Sequence, residues 1–101
     1  AHPFYGAPVV CVVLADPERY TCVEDASLVM GNLMLAAHSL GVASCWIHRA
    51  REEFDSPAGK ALLQKWGVDE RCIGVGHCIL GYAAGDPPAP KPRKEDFILY
   101  R

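Results

Sequence analysis

The sequence predicts one α+β domain over residues 1–101, in which a small mixed or antiparallel sheet packs with a long central helix. Three stretches carry that expectation. Residues 9–14 (VVCVVL) form a continuous β-rich apolar run, the pattern of a strand covered on both faces. Residues 23–40 are apolar around most of a helical circumference. Val23, Ala26, Leu28, Val29, Met30, Leu33, Met34, Leu35, Ala36, Ala37 and Leu40 keep to no single stripe, and a helix of that kind is buried on nearly all sides. Residues 85–92 (GDPPAPKP) exclude helix and inner strand, so the chain leaves the body as an extended arm.

The elements follow in order. Pro8 is tolerable as the first residue of the opening strand, and Asp16-Pro17 breaks it. Thr21 and Glu24 have the spacing of a capping box for the long helix. Gly41 stands where a left-handed residue closes it. Residues 42–47 (VASCWI) form a second strand. Residues 48–56 read as polar and irregular. Ser56 and Pro57 open a short helix through Trp66 as N-cap and first-turn proline, and Gly67 ends it. Residues 72–82 hold a third strand, bracketed by glycines. Residues 97–100 (FILY) form a short fourth strand at the end of the arm, over 86–101. A chain of this size has little material to cover such a helix, so a second subunit is expected against it. An arm of this kind delivers its strand to another subunit's sheet edge.

Composition narrows the function. Half of the residues are apolar and the net charge is -2, so neither nucleic acid nor an anionic membrane is the expected partner. No apolar run approaches the roughly 20 residues that span a bilayer. Ala1 opens the chain without an initiator methionine or a signal-peptide pattern, and we read the chain as a piece of a longer protein or a processed one. Cys11, Cys22, Cys45, Cys72 and Cys78 are scattered, with no CxxC pair, as in reduced cytoplasmic proteins.

Common catalytic patterns are missing. No serine lies in a GxSxG elbow. His77 and Cys78 are adjacent on a strand and point to opposite faces, and Cys45 stands three residues before His48; all five thiols read as small core side chains. Cys72, His77 and Cys78 match no zinc spacing, so no metal and no catalytic side chain are assigned. Neither GxGxxG nor GxxxxGK[ST] occurs. Two features bear on anions and flat rings. Lys91 and Arg93 lie two apart on a proline-stiffened arm, where they point the same way and form a clamp for one phosphate; the competing reading is a solvated basic tail. The strand end at residues 45–48 exposes backbone N–H groups that can meet a flat heteroaromatic ring.

Taken together, these residues resemble the C-terminal half of the nitroreductase-like FMN-dependent oxidoreductases. The most specific parts are Asp25-Ala26-Ser27 through Gly41, the strand Ser44-Cys45-Trp46-Ile47, and Gly81-Tyr82 followed by the Lys91-Pro92-Arg93 arm. The resemblance implies FMN held at a homodimer interface to which the long helix belongs. It implies flavin contacts from Trp46, Ile47 and His48, with the His48 amide nearest the reactive N5. It assigns the phosphate to Lys91 and Arg93 and wraps the arm onto the partner subunit. The implied activity passes hydride equivalents from NAD(P)H through flavin to nitroaromatic or quinone-like acceptors, with His48 and Arg49 facing the pocket. A relative with dehalogenating or flavin-fragmenting chemistry would share the fold. The family's N-terminal arginine- and serine-rich motif has no counterpart in this chain. The alternative reading is therefore a non-catalytic dimerisation module or a cofactor-free fragment of such a protein.

Overall fold

The computed structural model describes residues 3–101. Strand β1 covers Val9–Ala15, helix α1 Cys22–Ser39, strand β2 Ala43–Ile47, helix α2 Ala50–Asp55, helix α3 Pro57–Lys65 and strand β3 Ile73–Gly81. The strands make a three-stranded sheet in the order β1-β3-β2. β3 runs antiparallel to both neighbours. The register sets Cys78 between Cys11 on one side and Trp46 on the other. Opposite Val13 stands Gly76, and opposite Leu14 stands Gly74. Val75 is thus the extra residue of a bulge, which lets the pleat change phase within β3.

The sheet is covered on both sides, as the continuous apolar run of β1 requires. α1 lies on one face. There Val13, Ala15, Ile73, Val75 and Cys78 pack with Ala26 and Met30 of the helix. α2 and α3 lie on the other, where Ala50, Phe54 and Leu63 form a second cluster against Val12 and Leu14. Glycines fix how close the helices come. A Cβ on Gly74 would lie 2.2 Å from the Ala50 carbonyl oxygen, so α2 sits directly on the bare backbone of β3.

The helix ends show which local signals held. Gly41 has φ of +73°. Its N–H donates to the His38 carbonyl and that of Val42 to the Ala37 carbonyl, which is the Schellman closure. Gly67 closes α3 in the same way, through Gln64 and Leu63. The Ser56 hydroxyl accepts the Gly59 N–H at 3.1 Å, with Pro57 in the first turn. Thr21 departs from expectation. Its side chain accepts no helix N–H, and its hydroxyl donates instead to Asp25 at 3.1 Å. The short i,i+4 reach to a carboxylate has displaced the capping box.

Two further expectations are corrected. Residues 50–55 are helical rather than irregular. The apolar stripe of that helix is only Ala50 and Phe54, at i and i+4, and both are buried. Residues 97–100 form no strand, because no pairing partner is within reach and Phe97, Ile98, Leu99 and Tyr100 stay exposed. Within this chain α1 is covered on one side only, which leaves the surface for which a second subunit is expected. Ala26, Met30 and Ala37 are buried, whereas Leu28 and Leu35 are each 70% exposed. Residues 82–101 are exposed throughout. The radius of gyration of 16.2 Å exceeds the roughly 13 Å of a compact chain of this length, as an extended arm demands.

Met30 is fully buried between α1 and the sheet, so Met30→Ala is expected to cost about 2–5 kcal/mol, read as a fall in the urea midpoint at constant slope. Burial pushes the Cys78 thiol upward, with Cys11 and Cys45 adding to the shift. The folded thiol therefore holds its proton more tightly than the unfolded one. Its contribution is complete below pH about 8.5, where unfolded cysteine is still protonated, and stability falls as pH rises beyond that. Urea titrations at neutral and alkaline pH should show this loss in the wild type and a smaller loss in Cys78→Ala.

Candidate functional site at the end of strand β2

β2 leaves the sheet after Ile47, and a two-residue turn, His48 and Arg49, leads into α2. Trp46 faces α1, since it is in register with Cys78 of the α1-side core. Its indole lies over Gly76, where a Cβ would come to 2.7 Å from the indole Nε1. The Trp46 and His48 rings stand 6.1 Å apart between centroids. Together with Val23, Ser27, Arg51, Glu52, Gly74 and Val75 they line a cleft of about 380 Å³ between α1 and α2. A second hollow on the same rim is lined by His48, Arg49, Glu52 and Glu53.

Polar groups in the cleft differ in availability. The Ser27 hydroxyl donates to the Val23 carbonyl at 2.6 Å and is spent within α1. Arg51 pairs with Asp55 at 2.9 Å across one helical turn, both side chains being about half exposed, so that pair contributes little to stability. Trp46 Nε1 is buried and has no hydrogen-bond partner. An indole N–H can only donate, and a buried donor left unmade is costly. It is one of two such side-chain atoms among the described residues, the other being His77 Nδ1.

The structure brings together some of the residues singled out in the sequence and separates others. Trp46 and His48 share the cleft. Ile47 faces the opposite side, in register with His77, so only its backbone borders the turn. Lys91 and Arg93 lie on the exposed arm. No arm residue lines the cleft; Arg93 instead borders a shallow hollow with Phe97, Ile98 and Tyr100 on the arm itself. Sequence reasoning missed Arg51 and Glu52 because it took their segment for a loop. It also missed the close approaches at Gly74 and Gly76, although paired glycines inside a strand are the usual sign of one. No group of histidine, cysteine, aspartate or glutamate suited to a metal occurs among the described residues. No helix there is long and apolar enough to cross a membrane.

A three-stranded antiparallel sheet between one long helix and two short ones, with an aromatic cleft at a strand end, defines the α+β domain. Comparison with known proteins makes this specific. A sequence model described as the nitroreductase family matches residues 1–82, and the chain belongs to that family. A nitroreductase with bound FMN from Bacteroides fragilis is 34% identical, with a TM-score of 0.86 over 97% of this chain and 53% of its own. One with bound FMN from Desulfitobacterium hafniense is 30% identical, with a TM-score of 0.83 over 97% of this chain and 53% of its own. An FMN-dependent nitroreductase from Clostridium difficile is 29% identical, with a TM-score of 0.67 over 84% of this chain and 51% of its own. The chain thus spans about half the length of the solved structures it matches. No curated protein is matched.

Gly76→Ala is expected to drive the Trp46 indole off β3, because the new Cβ would meet Nε1 at 2.7 Å and the Met30 Cε at 3.2 Å. In a Trp66→Phe background, where Trp46 is the sole indole, the change should appear as a red-shifted emission maximum and a lowered unfolding midpoint.

Proposed function

We propose that this chain is the C-terminal portion of an FMN-dependent oxidoreductase of the nitroreductase type, one unit over residues 1–101 whose cofactor site is completed by a second copy. The observation that carries the reading is the Trp46–His48 cleft, in a chain whose solved relatives hold FMN. The residues present fit that group. The cleft offers an aromatic wall, an unpartnered indole donor and a turn immediately beyond the last paired residue of β2. Trp46, the backbone at Ile47 and the His48 amide would hold the ring system. Lys91 and Arg93 would hold the phosphate, and neither is engaged in an ion pair among the described residues.

When bound, the flavin supplies hydride and electron transfer between NAD(P)H and a nitroaromatic or quinone-like acceptor. The protein's part is different. A fixed turn amide orients one edge of the ligand at no reorganisation cost. The apolar floor of Trp46 and Val75 excludes water from it, and the arm cations neutralise its anionic end. Such a division of labour needs no acid–base dyad, in keeping with the lack of any assigned catalytic side chain.

The arm and α1 support the homodimer. Leu28, Val29 and Leu35 form an apolar strip that this chain leaves exposed, and such strips mark interaction surfaces. Lys91 and Arg93 do not border the cleft of their own chain, so a clamp on a ligand there is best supplied by the arm of a partner. The five free cysteines support a reducing, cytoplasmic setting.

Lys91→Ala combined with Arg93→Ala is expected to weaken flavin retention at least tenfold, a loss in keeping with two charge-assisted contacts. The measurement is the visible absorption left after FMN loading and desalting, with solution mass followed in the same run. Retention equal to wild type would overturn the phosphate assignment. A colourless wild-type dimer would favour the dimerisation module instead.

A further inference from the structure

The contact that holds α2 to the sheet lies outside the cleft, on the opposite face of β3. His77 is 3% exposed, and its Nε2 meets a carboxylate oxygen of Glu53 in α2. A carboxylate only accepts, so Nε2 carries the proton and donates it. Nδ1 has no partner. The edge of Phe4 approaches the ring at 4.9 Å between centroids, and Phe54 stands at 5.9 Å. Glu53 is therefore the single polar tie of a buried imidazole among the described residues.

That tie controls both ends of the β2–α2 turn. Ile47, the last residue of β2, stands opposite His77 in the ladder. His48 and Arg49 follow, and the Glu53 N–H donates to the Arg49 carbonyl at 3.2 Å as α2 begins. The chain thus enters the turn beside His77 and leaves it toward a residue bonded to His77. The bare backbone at Gly74 seats the first residue of α2 on the same strand. α2 has only six residues, too few to hold its place by its own helical stability, so its position is set by these contacts.

We propose that His77 and Glu53 are positioning residues that fix the His48–Arg49 turn, and with it the His48 backbone donor offered to a flat cofactor. This rests on the FMN reading given above. A residue that merely stabilised the fold would lower the unfolding midpoint without moving the turn. Val13 on β1, 8% exposed and on the far edge of the sheet from β2, is such a residue.

The test compares four variants, His77→Phe, Glu53→Ala, Glu53→Gln and Val13→Ala. Amide hydrogen exchange at residues 48 and 49 is measured in the flavin-free protein, and the visible spectrum after FMN loading. His77→Phe and Glu53→Ala should raise turn exchange about tenfold beyond any change in global opening and should shift the bands of bound flavin. Glu53→Gln keeps an acceptor for Nε2 and should restore both readouts. Val13→Ala should lower the unfolding midpoint alone. Glu53 is half exposed, so Glu53→Ala keeps the test sound if His77→Phe does not fold. Unchanged turn exchange in Glu53→Ala overturns the proposal. A wild type that takes up no flavin, with the predicted exchange in the variants, overturns the FMN reading and leaves the turn assignment standing. A flavin-loaded wild type with unmoved exchange in the variants does the reverse.

Discussion

β3 carries no side chain at Gly74 or Gly76, and both layers of the molecule depend on that. On one face the gap admits the backbone of α2 at Ala50; on the other it admits the Trp46 indole. A methyl group at either position would fall inside contact distance, and packed interiors do not absorb such an intrusion without a shift. The bulge at Val75 makes the arrangement possible. It turns two glycines of like spacing to opposite faces, so one strand accepts a helix on one side and an indole on the other. The cleft lies where these close approaches converge, with Gly74, Val75 and Trp46 as its floor.

The same geometry explains what the sequence could disclose. β1, α1, α3 and β3 were legible because their signals are local: apolar runs, a proline at a helix start, and glycines past two helix ends. Trp46 and His48 could be placed at a strand end and so brought to one cleft. α2 was hidden because its identity is tertiary. Residues 50–55 read AREEFD, four polar residues around one apolar pair, and only contact with β3 and Leu63 reveals that pair as a core stripe. The hydrogen bond of His77 with Glu53 spans 24 residues and has no periodic signature. A lone histidine in an apolar strand says nothing of its partner.

The apolar character of α1 was legible, and this chain covers only one side of it. The period of the helix gives Ala26, Met30 and Ala37 to the sheet. Small residues at two of those three positions let the helix lie close to β1 and β3, which leaves the larger Leu28 and Leu35 on the outer side. This distribution is the reverse of a lone surface helix, whose bulky residues go inward. It suits a helix with a second neighbour. The chain spans about half of its solved relatives, so both the remainder of such a protein and a second copy are sources for that neighbour.

The arm sharpens the choice. Phe97, Ile98, Leu99 and Tyr100 are four consecutive apolar residues held in water, an arrangement that costs free energy unless something covers them. Four of the chain's eight prolines lie between Pro87 and Pro92 and keep that stem out of a ladder, because proline supplies no donor for one. Stiffness of this kind lowers the entropy lost when an arm docks. The segment is apolar at its tip, cationic along its stem and absent from the lining of its own cleft. Under the function proposed above, Lys91 and Arg93 would reach the anionic end of a ligand seated in the neighbouring cleft while the apolar tip would anchor them. Assembly and cofactor retention would then rise and fall together.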